Sequence, residues 1–113
     1  MWKGGFDLVK SCYDLTADFP PDERFGLTSQ IRRACTSIPT NIAEGWGRQG
    51  SGEFKRFVSI ALGSVRELQT LLMLSKELGF GDRQQVEQAL LNAESLVPSL
   101  TTLYKKLSED SRG

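Results

Sequence analysis

Leu27-Thr28-Ser29-Gln30-Ile31-Arg32-Arg33-Ala34-Cys35-Thr36-Ser37-Ile38-Pro39-Thr40-Asn41-Ile42-Ala43-Glu44-Gly45 is the stretch on which the fold turns. At about 100° per residue, Leu27, Ile31, Ala34, Cys35, Ile38 and Ile42 share one arc of roughly a third of a helix circumference. Pro39 lies inside that run and removes one backbone donor. The apolar period resumes in phase at Ile42, so the sequence predicts a helix over 25–47 kinked at Pro39. The competing reading breaks the chain at Ser37, which then caps a new short helix.

Moving outward, nearly every segment between turn signals repeats at helical period, and no strand-like alternation persists. On the N-terminal side a helix over 2–19 carries Trp2, Phe6, Val9 and Tyr13 as its apolar stripe; Gly4-Gly5 weakens its first turn and Pro20-Pro21 stops it. On the other side comes Gly45-Trp46-Gly47-Arg48-Gln49-Gly50-Ser51-Gly52, four glycines in eight residues, a composition too weak for stable helix. A third helix over 52–78 places Phe54, Phe57, Val58, Ala61, Val65, Leu68 and Leu72 on its inner side and stops at Gly79. A fourth over 82–107 opens with Asp82 and Gln85, a capping-box pair in type. Its stripe is Val86, Leu90, Ala93, Val97, Leu100, Tyr104 and Leu107, bent but not ended by Pro98. Four helices on short loops predict one all-α domain over 1–113, an antiparallel up-and-down four-helix bundle.

The chain has 113 residues, 39% hydrophobic and 25% charged, with 14 basic and 14 acidic side chains. That length suits one domain, and that composition excludes a disordered chain. The longest unbroken run of large aliphatics is Leu71-Leu72-Met73-Leu74, far short of the ~18–20 residues of a membrane span, so no membrane partner is expected. Met1-Trp2-Lys3-Gly4-Gly5 lacks an apolar secretory core, which makes a cytoplasmic protein the expectation. Histidine is absent, removing the commonest general base and metal ligand. Cys12 and Cys35 have no CxxC spacing and cannot assemble four zinc ligands. An antiparallel pairing of the first two helices sets these thiols at similar heights, where a bridge is sterically allowed; in a cytosolic protein they read as reduced core thiols. No metal, no cofactor and no enzymatic activity are expected.

Net neutrality conceals a sorted distribution. Residues 1–23 hold two basic and five acidic groups, a net of −3; residues 24–66 hold seven and two, a net of +5; residues 67–113 hold five and seven, a net of −2. Such sorting marks either an anion-binding face or complementary surfaces that meet between subunits.

Two helices break the rule of one apolar stripe with charges elsewhere. Opposite its core stripe the second helix carries Ser29, Thr36, Thr40, Ala43 and Gly47, small residues that let another helix approach closely. The third carries Ile60, Leu62, Leu71, Met73 and Leu74 outside its inner arc, more apolar surface than one small bundle can bury. Some of these residues can wrap toward neighbouring helices. The favoured reading is a homo-oligomer built through the second and third helices.

Chemistry is sparse. Gly45-x-Gly47-x-x-Gly50 fits the dinucleotide fingerprint in form only, because it follows a helix and no sheet is predicted. The loop leads into a helix N-terminus, and with Arg48, Lys55 and Arg56 nearby a phosphate contact is a secondary reading. Gln30, Arg33, Ser37, Asn41, Glu44 and Arg48 form a polar stripe along one flank of the second helix. They suit either a ligand or RNA backbone, or a structural role in which they cap loops, satisfy the carbonyl freed by Pro39 and pair across a subunit boundary; the second is favoured because carboxylate, amide and guanidinium complement one another without a ligand.

The stretch quoted first, with Glu53-Phe54-Lys55-Arg56-Phe57, Ala61-Leu62-Gly63-Ser64, Glu67-Leu68 and Leu78-Gly79, resembles a bacterial four-helix-bundle family. That family was first noticed as reading frames inside intervening sequences of large-subunit (23S) ribosomal RNA genes. The resemblance covers nearly the whole chain; Cys35-Thr36 departs from a usual small aliphatic pair without touching any role. It implies a toroidal homo-oligomer, a pentamer, similar in architecture to the accessory protein of diversity-generating retroelements, a basic barrel that binds nucleic acid and a reverse transcriptase. The family has no established activity, and its ribosomal label describes gene location. The combined expectation is a non-enzymatic scaffold that binds RNA or an RNA-associated protein through Arg32, Arg33, Arg48, Lys55 and Arg56. The alternative is a protein–protein interaction module whose charges serve subunit pairing alone.

Overall fold

A computed structural model of the chain describes residues 2–48 and 50–112, the side chains of 111 and 112 apart. Positions 1, 49 and 113 of the predicted domain, including Gln49 in the glycine-rich linker, lie outside the described residues. The elements run α1 (Lys3–Thr16), a 3-10 turn (Pro21–Glu23), α2 (Leu27–Trp46), α3 (Ser51–Leu78) and α4 (Arg83–Arg112), with no strand among the described residues. Each helix packs on its neighbour in chain order, and α1 also packs on α4. The diagonal pairs, α1 with α3 and α2 with α4, stay more than 8 Å apart between Cα atoms of the described residues. The resulting rod measures 50 × 22 × 21 Å between Cα atoms.

Partner numbers fall along one helix as they rise along the other. Between α2 and α3, Arg33 meets Glu67, Ser37 meets Ser64, and Trp46 meets Phe54. Between α3 and α4, Lys55 lies over Tyr104, Gln69 bonds Glu94, and Lys76 pairs with Glu87. The Lys76 hydrogen bond, then that of Arg83, holds the exposed Glu87 carboxyl below the usual carboxylate range.

Local chemistry explains most boundaries. Gly79 adopts the left-handed conformation (φ 74°, ψ 26°) that closes α3, and its N–H and that of Phe80 bond the carbonyls of Lys76 and Ser75. Asp82 accepts a hydrogen bond from the Gln85 N–H at 3.0 Å, capping α4 as its sequence predicts. Both Pro39 and Pro98 lie within continuous helices, as the apolar period predicts, and the competing break at Ser37 does not occur. The first helix, expected to reach residue 19, ends at Thr16. Phe19 precedes a proline, which disfavours helical geometry, and its buried ring packs on Phe80 at 5.8 Å between centroids.

The core stripes of α2 and α3 match their sequence reading, with Ile31, Ala34, Cys35, Ile38, Val58, Ala61, Val65, Leu68 and Leu72 fully buried. In α1 the reading is corrected. Its core is Leu8, Cys12 and Leu15, while Phe6 and Tyr13 are exposed and Trp2 and Val9 half-buried. Two apolar phases coexist in this helix, and aromatic bulk favoured the wrong one: where α1 meets α2, Cys12 contacts Cys35, a space for thiols and not for rings. Both cysteines are free and buried. In α4, Ala89 and Leu96 join the core, beyond the stripe read from sequence.

One further correction concerns α3. By length and composition alone it is apolar enough to cross a membrane, with a window of mean hydropathy 1.3, contrary to the expectation that no segment approaches that length. A count of consecutive aliphatics misses it because Ser59, Gly63, Ser64, Arg66, Glu67, Gln69 and Thr70 interrupt the runs while only two of them are charged. Leu71 and Leu62, predicted as outer residues, pack on the core, Leu71 buried and Leu62 half-buried.

Two substitutions measure this packing. Ile38→Ala, at a fully buried site, should lower unfolding free energy by about 2–5 kcal/mol in urea titrations. Gly45→Ala should also destabilise, by about 1–3 kcal/mol, although alanine is the better helix former. A Cβ there would lie 2.7 Å from Phe57 Cβ and 2.8 Å from Phe54 Cδ1.

Candidate functional site

The polar stripe of α2 is tied down mainly within the chain. Ser37 and Ser64 hydroxyls lie 2.8 Å apart across the α2–α3 seam, and Asn41 Nδ2 donates to the Ser37 carbonyl at 2.7 Å and to its hydroxyl at 2.9 Å. Arg33 bridges to Glu67 at 2.6 Å, and Arg48 to Glu44 at 2.8 Å. Gln30 is exposed at the start of the same flank. The carbonyl that Pro39 frees belongs to Cys35, one turn back, whereas Asn41 bonds Ser37; that detail of the sequence reading does not hold. Among the described residues no buried side-chain nitrogen or oxygen lacks a partner.

The five basic candidates divide into separate places. Arg32 is half-buried and joins α1 to α2: its Nε donates to Thr16 Oγ1 at 2.9 Å, its Nη2 to the Tyr13 carbonyl at 3.4 Å, and its guanidinium lies 4.5 Å from the Tyr13 ring centroid. Arg33 faces α3 through Glu67. The other three gather where α2 ends and α3 begins. Arg48 and Arg56 stack on Phe57, at 5.4 and 4.7 Å, and Arg56 also reaches Glu53 at 3.7 Å. Lys55 lies 5.1 Å from the Tyr104 ring centroid. Gly52, Lys55, Arg56, Ser59 and Tyr104 line an open cleft of about 350 Å³. Stacking fixes the directions of these cations, and the nearby carboxylates of Glu44 and Glu53 offset part of their charge.

A larger feature lies on the opposite pair of helices. Trp2, Phe6, Pro39, Ile42, Ala43 and Trp46 line a cavity of about 490 Å³ between α1 and α2. It continues into a second of about 280 Å³ that shares Phe6 and Pro39 and adds Val9, Lys10, Thr36 and Thr40. The small residues predicted on the outer face of α2 therefore form one wall of an apolar trough. Ser29 and Gly47 are exposed beyond its ends. Sequence reasoning missed the opposite wall because Trp2 and Phe6 were assigned to the core; the Leu8-Cys12-Leu15 phase was the available signal.

A second apolar surface occupies α3 and α4. Ile60, Met73, Leu74 and Leu91 are 40%, 52%, 47% and 66% exposed. Met73, Leu90 and Leu91 line a groove edged by Gln69, Glu87 and Glu94. Three of the five outer apolar residues predicted on α3 thus lie at the surface, while Leu62 and Leu71 lie largely within the bundle.

No curated protein matches the sequence. Residues 1–102 match a family described as 23S rRNA-intervening sequence protein, a span that contains the α2–α3 seam, the trough and the stacked cations. The chain therefore belongs to the 23S rRNA-intervening sequence protein family.

Proposed function

We propose that this chain is a non-enzymatic, self-assembling scaffold: an antiparallel up-and-down bundle whose copies associate side by side into a closed ring, the pentamer that the family resemblance implies. The observation that carries the reading is the presence of two apolar surfaces on different sides of the bundle, the α1/α2 trough and the α3/α4 surface. Exposed aromatic and aliphatic side chains in contiguous patches are unfavourable in water and mark interfaces. The falling partner numbers along each helix pair support the antiparallel arrangement. A sequence without histidine supports a role in assembly over catalysis.

A second reading, RNA binding at the end of the bundle where α3 begins, is favoured by one observation. Lys55, Arg56 and Ser59 line one cleft with Tyr104, beside the N-terminal turn of α3. Ammonium and guanidinium groups held over aromatic rings present directed donors to phosphate, and free helix N–H groups favour the same charge. Arg32 and Arg33 contribute less to this reading, because their guanidinium groups are engaged by Thr16 and Glu67. In either reading the partner is first another copy of the chain, and the expected setting is the cytoplasm.

Light scattering at high protein concentration should give a native mass several times 12.6 kDa, five times for the pentamer; a single-chain mass would overturn the assembly reading. For the second reading, anisotropy titrations with single-stranded RNA should weaken steeply with salt. Three phosphate contacts correspond to a log–log slope of about −2. Lys55→Glu together with Arg56→Glu should abolish that binding without changing native mass, and equal, negligible binding by the unaltered protein at low salt would refute it.

A further inference from the structure

Cys12 and Cys35 have no part in either reading of the function. Both are free, both are fully buried, and they lie on different helices, α1 and α2. A closed circuit of hydrogen bonds sets them level with each other. Thr16, one turn beyond Cys12, donates to the Cys12 carbonyl at 2.6 Å and accepts from Arg32 Nε at 2.9 Å. Arg32 Nη2 reaches the Tyr13 carbonyl at 3.4 Å, and Cys35 Sγ donates to the Arg32 carbonyl at 3.3 Å. The Cys12 thiol closes the circuit by hydrogen bonding to Cys35. Neighbouring helices pack with axes about 8–10 Å apart and carry their Cα atoms about 2.3 Å from the axis. Facing residues on such a pair come within the about 4.4–6.8 Å between Cα atoms that a disulfide spans.

We propose that Cys12 and Cys35 form a reversible dithiol–disulfide latch that fastens α1 to α2. The latch sits at one end of the trough: Val9, one turn before Cys12, and Thr36, directly after Cys35, both line it. Oxidation thus fixes the two trough walls against each other, whether the bundle is assembled or alone. The oxidant is a low-molecular-weight disulfide of the glutathione class. When α1 briefly leaves α2, one cysteine thiolate attacks a sulfur of that molecule, forming a mixed disulfide and releasing a first small thiolate. As α1 returns, the second cysteine gives up its proton, attacks the protein sulfur of the mixed disulfide and expels the second small thiolate. The protein loses two electrons and two protons, and the small disulfide gains both pairs to become two thiols. Bridging removes both S–H donors together, so neither state leaves one unpaired. In a reducing compartment such a bridge is transient and responds to the redox poise.

The unaltered full chain, equilibrated in mixtures of reduced and oxidised glutathione and quenched with acid, tests the latch. Its intact mass should fall by two hydrogen atoms, and it should still run at 12.6 kDa on a denaturing, non-reducing gel. The equilibrium constant for oxidation should be about a hundredfold larger in the native bundle than in the urea-unfolded chain, because closing the loop from residue 12 to residue 35 restricts the unfolded chain by about that factor. By the same linkage the oxidised bundle should melt at a higher temperature than the reduced one. Cys12→Ala and Cys35→Ala should each abolish the redox dependence of melting. Each replacement can itself cost stability, so the comparison of native with unfolded wild-type chain decides without them. Equal oxidation constants in the two states, a persistent glutathione adduct, or a bridge between chains would sink the latch. Native thiols that stay reduced at every poise would do the same.

Discussion

The close approach of α2 to α3 is the constraint on which the rest of the molecule depends. At one end of the seam Gly45 admits Phe57 and Phe54 where any side chain would collide. In the middle the Ser37 and Ser64 hydroxyls satisfy each other, and beyond them Arg33 reaches Glu67. A slip of one turn would separate those hydroxyls and leave a buried polar atom unpaired, a penalty of about 1–3 kcal/mol. The seam therefore sets the rotation of both helices about their axes. It follows that the small-residue side of α2, which lines the trough with α1, is turned away from α3.

This geometry also limits what the basic residues can do. Four arginines counted as a binding face are engaged within the chain, with Thr16, Glu67, Glu44 and Glu53 as partners. Apart from Arg32, held partly buried against α1, these are exposed ion pairs whose worth in stability is small. Their consequence is orientation: a guanidinium stacked on Phe57 or Tyr13 keeps a defined direction that a free surface arginine lacks. The positive sum over residues 24–66 is thus divided between joining helices and a cleft beside the start of α3.

Much of the fold was legible in the sequence where periodicity and capping agreed. Asp82 and Gly79 carried start and stop signals respectively, and the stripe from Leu27 to Ile42 persisted through Pro39. Periodicity failed where two phases competed. In α1 both Trp2-Phe6-Val9-Tyr13 and Leu8-Cys12-Leu15 are helical stripes, and only the space beside Cys35 distinguishes them. The trough was half legible for the same reason: its α2 wall is visible as small residues, and its α1 wall depends on the phase. The division of the five cations was not legible at all, because Arg32 and Arg33 are adjacent in sequence but point to different helices.

The two buried thiols give the bundle a built-in reporter of its own breathing. Hydrogen bonding to Cys35, reinforced by burial, pushes the Cys12 thiol far above its ordinary range, and only a thiolate attacks an alkylating reagent efficiently. While α1 stays docked, Cys12 is shielded from solvent and protonated. Its labelling by a small electrophile therefore requires an opening that uncovers the contact between the first two helices.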